Sequence, residues 1–150
     1  MLSRGYSIRY DVICYSESKD GIHWHRPNLG LIEFGGSKQN NIILSGVVAN
    51  QGFVPFRDDN PDCKPPEQYK AVNAMRTPEG GMGLYAFVSP DGIRWSRLGD
   101  KPIISEGYFD SQNLAFWTSV RECYVDFHRV RYAEAQKASV LPPTSVRRRT

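Results

Sequence analysis

Long apolar runs are missing from this 150-residue chain. None approaches the roughly 20 residues that a membrane-spanning helix needs, and the N-terminus has no hydrophobic segment of the signal-peptide kind. As written, the chain is expected to be soluble and to carry no address; a secreted or periplasmic location would belong to a longer parent. Cysteine is scarce too. Cys14, Cys63 and Cys123 make an odd count without C-x-x-C spacing, so neither a disulfide framework nor a zinc knuckle is implied. Cys14, in an apolar stretch, reads as a small buried hydrophobe. Of the three histidines, His23 and His25 stand two apart and share a face if the segment is a strand, but no third ligand is evident, and a solvated face is expected.

Charge of one sign is also lacking. The net formal charge is +3, too small to call for a nucleic-acid partner. What excess there is sits at the end: residues 129–150 hold Arg129, Arg131, Lys137, Arg147, Arg148 and Arg149 against Glu134 alone. The arginine triplet has neither aromatics nor a helical face, so 132–150 is expected to be a disordered basic tail. Residues 132–140 have some helical character, cut short by Pro142 and Pro143.

Aromatics are present in ordinary amount, and they favour sheets. Eight Tyr, seven Phe and three Trp sit in short alternating runs bounded by Gly, Pro, Asn and Asp, and few stretches carry a helical period. The clearest pattern is a duplication. Ser18-Lys19-Asp20-Gly21-Ile22-His23-Trp24 returns 71 residues later as Ser89-Pro90-Asp91-Gly92-Ile93-Arg94-Trp95. Each copy follows an apolar stretch and leads into another, so Asp-Gly reads as the bend of a tight β-hairpin, with glycine supplying the positive φ. Trp24 and Trp95 hold equivalent positions and are expected to pack between sheets.

The expected strands fall into three units, at about 6–27, 53–98 and 108–131. The first contains 6–10, 12–18 and 22–25, with 41–44 after a connecting stretch. The second is complete, with strands at 53–57, 69–76, 83–89 and 93–98. The third begins with 112–117 and 122–129. Four antiparallel strands make one propeller blade, so the fold class is all-β: about two blades of an incomplete β-propeller over 1–131. A closed ring of four to eight blades, at about 40–70 residues each, needs at least about twice this length. The chain is therefore expected to be a fragment or truncated product, one of several chains that assemble, or a smaller β-sandwich.

The repeated S-x-D-G-I-x-W, Phe56-Arg57-Asp58-Asp59-Asn60-Pro61-Asp62, and the stretch from Phe109-Asp110-Ser111-Gln112-Asn113 to Trp117 together resemble five-bladed β-propeller glycosidase-related proteins. These are relatives of the invertase, levansucrase and arabinanase group, of glycoside hydrolase family 32 N-terminal or family 43-like type. The resemblance covers about 6–131. It implies a funnel at the propeller axis where carboxylates of successive blades meet an oligo- or polysaccharide; charge and the lack of long apolar runs have already set aside a nucleic-acid or membrane partner. Arg57-Asp58 resembles the second-blade Arg-Asp element, and Asp110 opens the next innermost strand. The first-blade Asp and third-blade Glu of that group have no visible counterpart. The hairpin also resembles the sialidase Asp box, a structural element, shortened by one residue.

Glycoside hydrolysis needs two carboxyl groups across the scissile bond, one with a raised pKa. Asp58 and Asp110 are the candidate catalytic pair. Arg57, Asn60, Gln112 and Asn113 suit sugar hydroxyls, and Trp117 offers a ring face for stacking. The bland alternative has Asp58, Asp59, Asp62 and Asp110 capping turns. The oxygen-rich 58–62 cluster keeps calcium open as an alternative, but it lacks the glycine and terminal glutamate of an EF-hand loop, and no metal or other cofactor is expected. A carbohydrate-active, hydrolase-like propeller leads. Its alternatives are a non-catalytic carbohydrate-binding or interaction propeller and an inactive remnant.

Overall fold

A computed structural model describes residues 11–46 and 52–130. The expected strand at 6–10 and the expected tail at 132–150 lie outside the described residues. The chain divides into two units, one ending at Ala49 and one beginning at Asn50. Regular structure among the described residues is β, in small antiparallel sheets, apart from a 3-10 turn at Pro65–Glu67 and 3-10 geometry at Gly46. No described helix is long and apolar enough to cross a membrane.

In the first unit the segment 12–18 is two short strands, β1 (Val12–Cys14) and β2 (Glu17–Ser18), because it changes partner midway. β2 pairs with β3 (Trp24–His25), and β1 pairs with β4 (Ile42–Ser45). Asn40 secures the long connection: its side-chain amide donates to the carbonyls of Ile32 and Ser37, and its carbonyl oxygen accepts the Ile42 N–H. Ile42 is buried. Cys14 is exposed, which corrects its expected burial: β1 and β4 are two strands with no described layer over that side chain.

The second unit is built on a four-stranded meander, β5 (Val54–Arg57), β6 (Tyr69–Arg76), β7 (Met82–Ser89) and β8 (Ser96–Arg97). Strand alternation sends Val72, Ala74 and Leu84 to one face, where they bury against Phe109 with Val54, Ile104 and Ala115. Ala71, Asn73, Tyr85 and Phe87 take the other face and are buried as well. Full burial of a side chain such as Leu84 or Phe87 is worth about 1.5–3 kcal/mol, which makes β6 and β7 the centre of the unit. Gly83 has a steric reason: a Cβ there would stand 2.6 Å from Pro102 Cβ. Ile103 and Ile104 continue the sheet beyond β8 by binding both backbone groups of Leu84. A separate hairpin, β9 (Leu114–Thr118) with β10 (Cys123–Phe127), follows, and its Ala115 rests on the core.

Both copies of the repeat close by the same bonds. Ser18 Oγ accepts the Gly21 N–H at 2.9 Å, and Ser89 Oγ accepts that of Gly92 at 2.9 Å. Asp20 and Asp91 each take the N–H groups two and three residues on, and each indole N–H donates to the glycine carbonyl. Gly21 and Gly92 have φ of 76° and 75°, the left-handed region that glycine enters without strain. The turn is longer than expected. Five residues separate the paired Ser18 and Trp24, and the Asp carboxylate organises them in place of a two-residue bend. The surroundings differ between copies: Trp95 packs edge-to-face on Phe53 at 5.0 Å, whereas Trp24 is 61% exposed. The expected burial of both indoles between sheets is therefore corrected for Trp24.

Candidate functional site

The candidate residues lie along β9 and at the end of β5. β5 ends at Arg57, whose side chain is exposed, while the Asp58 N–H continues the ladder to the Gln68 carbonyl at 2.9 Å. The next side chain turns inward, and the Asp58 carboxylate is fully buried. Its Oδ2 accepts Lys70 Nζ at 2.5 Å and the Tyr124 hydroxyl at 2.6 Å, and its Oδ1 accepts the Asn60 N–H at 3.0 Å. Asn60 extends the chain of turns, accepting the Asp62 N–H and donating its amide to Tyr124 Oη at 3.2 Å. Tyr124 in turn meets Trp117 edge-to-face at 5.0 Å across the β9–β10 ladder. Asp58, Asn60 and Trp117 are thus brought together, joined by two residues that sequence reasoning missed, Lys70 and Tyr124.

The charges of this cluster are fixed. Burial alone would raise the Asp58 pKa, but hydrogen bonds from Lys70, Tyr124 and the Asn60 amide outweigh it and hold the carboxyl below its usual range. Burial opposes the Lys70 charge, yet the hydrogen bond to Asp58 raises its pKa. Tyr124 is raised by burial and by its bond to Asp58, and the Cys63 thiol is raised by burial and by the nearby Asp58 charge. Lys70 also donates to the Glu67 carbonyl at 3.2 Å and lies 5.7 Å from the centroid of the Tyr124 ring. The arrangement suits an anchor that ties β5, β6 and β10 together more than a group that exchanges protons with a ligand.

The other candidates lie past the opposite end of β9. From Asn113 to Trp117 the chain advances roughly 13 Å at strand rise. Asp110 is 61% exposed and forms an ion pair with Arg129, itself 56% exposed and a third residue that sequence reasoning missed. The second oxygen of Asp110 has no partner among the described residues. Tyr108 donates its N–H to the Arg129 carbonyl at 2.8 Å, fixing the two segments side by side. Gln112 is exposed. Asn113 folds inward, fully buried, and donates to the Ser111 carbonyl at 3.0 Å. Asp58 and Asp110 share no partner among the described residues, and no three described His, Cys, Asp or Glu side chains converge as metal ligands.

Sequence signals for the missed residues exist in part. Lys70 has the parity of Val72 and Ala74, so it is a cation on the core face of a buried strand. Tyr124 and Arg129 have no such mark. No protein-family model matches the chain, and no curated protein or solved structure is similar enough to it to indicate a family.

Proposed function

We propose that the chain belongs to a carbohydrate-binding β-repeat protein of propeller type, in which Asp110, Arg129 and Gln112 contact sugar hydroxyls and Asp58 anchors the wall behind them. The observation that carries this is the contrast between the two carboxylates. Asp110 is exposed and paired with the Arg129 cation, and Gln112, two residues on, is exposed as well; together they offer a donor and acceptor set that suits vicinal hydroxyl groups. Asp58 is sealed, ionised and fully hydrogen-bonded. A general acid for glycoside hydrolysis needs a raised pKa, and that of Asp58 is displaced the other way. The four-stranded meander and the duplicated hairpin support the blade part of the proposal.

Hydrolysis is the second reading, and the Asp110 oxygen that has no partner among the described residues is what favours it, given a second carboxylate from elsewhere. One experiment separates the two. The full chain is screened on a panel of neutral and acidic oligosaccharides, by retention and by release of reducing ends. Binding without product, weakened about tenfold or more in Asp110→Asn and Arg129→Ala, supports the binding module. Product release abolished in Asp110→Asn decides for hydrolysis. A folded chain that retains no glycan refutes both.

A further inference from the structure

The complete sheet β5–β8 serves as a template for the partial ones. Seventy-one residues before β7 lies the segment 11–18, which holds β1 and β2, and β3 falls one residue from the position that β8 takes in the complete sheet. In β7 the even-numbered backbone groups face β8 and its continuation: Leu84 bonds Ile103 and Ile104, and the Ala86 carbonyl accepts the Leu98 N–H. Alternation turns Gly83 and Tyr85 toward β6, where Tyr85 pairs with Asn73. The segment 11–18 keeps the same parity. Asp11 accepts the Gly46 N–H, Tyr15 donates to the Asn41 carbonyl and Glu17 pairs with His25, all on one edge. The opposite edge carries the backbone groups of Val12 and Cys14. That is the edge which β6 fills in the complete sheet, and no strand lies on it among the described residues.

The β9–β10 hairpin has the reverse need. It supplies two strands of a meander, and no described strand lies on the outer edge of β10. One face rests on the core through Ala115; the other presents Leu114, Phe116 and Phe127, exposed by 42%, 42% and 57%, with the two phenyl rings stacked at 6.0 Å. Isolated two-stranded sheets are marginal in water, and bare edges are templates for another strand. Neither Val12–Cys14 nor Cys123–Phe127 contains the proline or lysine that commonly blocks such pairing.

We propose that copies of this chain assemble edge to edge, β10 of one copy lying antiparallel, in a second copy, on the edge of 11–18 that no described strand covers. Strands β9, β10, β1 with β2, and β3 then complete a four-stranded sheet in the order of β5–β8. The contact is heterologous, so it propagates head to tail and closes where the rotation allows. Described residues of one copy supply one whole sheet and two halves, so a closed ring contains an even number of sheets and departs from the five-bladed arrangement that the resemblance implies.

The test is sedimentation velocity on the full chain across a wide range of concentration, together with hydrogen exchange on the same samples. Mass at integer multiples of the chain is expected, with the Val12 and Cys14 amides slowed about tenfold or more in the assembly and released on dilution. Val12→Pro removes an edge donor that no described bond uses, so it is expected to shift the mass to that of one chain with an unchanged circular dichroism spectrum. A single-chain mass at every concentration overturns the proposal, whether those amides exchange freely or are protected by closure within one chain. An assembly in which they exchange freely overturns it as well, and this measurement needs no variant.

Discussion

Replacing Asp58 by Asn keeps the shape of the side chain and an acceptor for the Asn60 amide, but removes the charge opposite Lys70. The Lys70 side chain is 14% exposed and that of Asp58 0%, so solvent does little to make up the loss. Removing one partner of a buried ion pair costs about 3–5 kcal/mol. Lys70 keeps the Glu67 carbonyl at 3.2 Å and the Glu67 carboxylate at 3.7 Å, so the lower end, about 3 kcal/mol, is expected. That is a large part of the roughly 5–15 kcal/mol that a domain has in all. Chemical denaturation of the full chain, followed by tryptophan fluorescence, measures it. The control is Asp58→Asn with Lys70→Met, which should recover most of the loss because a neutral packed pair does about as well as a buried ionic one. Asp58→Asn within about 0.5 kcal/mol of the parent, or a double variant no better than the single, would refute the anchor.

The same cluster sets a pH window. The folded pKa of Asp58 lies below its unfolded value of about 3.9, so its contribution is complete above about pH 4 and is lost as acidification passes through the folded pKa. Lys70 and Tyr124 are raised, so theirs is complete below about pH 10 and is lost as the pH climbs through the folded values. The contribution of these three groups should be level between these limits. In the double variant the acid flank should lessen to what Asp20 and Asp91 contribute, and the alkaline one should lessen too.

The hairpin, the β9–β10 turn and the sheet centre give three further expectations. Asp91→Ala should cost about 1–2 kcal/mol in the same denaturation assay, since its carboxylate takes the Ile93 and Arg94 N–H groups. Hydrogen bonding lowers the Asp91 pKa to about 2 against the opposing effect of burial, so this contribution fades as the pH falls from about 4 toward that value. Glu122 has a φ of 49°, left-handed for a residue with a side chain, so Glu122→Gly should raise the melting temperature, by an energy of up to about 1 kcal/mol. Gly83→Ala sets a methyl 2.6 Å from Pro102 Cβ and should destabilise by about 1–3 kcal/mol, seen as a lower denaturation midpoint.

The strands were legible wherever alternation ran long enough. β6 occupies 69–76 as expected, and β7 begins one residue early at Met82. β8 shrinks to Ser96–Arg97 because the Asp91 turn takes up the residues before it. Around Asp58 the sequence displayed the turn chemistry, since Asp58, Asn60 and Asp62 are consecutive turn-formers whose bonds are local. It did not display Tyr124, whose bond to Asp58 spans 66 residues and depends on how the β9–β10 hairpin lies on β5. Arg129 escaped for the same reason, 19 residues from Asp110.

The two tryptophans mark where a sequence repeat stops being a structural one. Every bond that closes the motif falls within three residues, from Ser to Gly, from Asp to the next two amides and from the indole back to the glycine carbonyl, so each copy folds alike whatever surrounds it. Packing is not local. Trp95 rests on Phe53, and Phe53 is backed by Phe87 at 5.6 Å. Seventy-one residues before Phe87 stands Ser16, so the first copy lacks the phenyl ring that backs the Phe53–Trp95 pair. Trp24 is 61% exposed where its repeat holds Ser16 in place of that ring, and a strand paired to the edge beside Val12 and Cys14 would supply side chains from outside it.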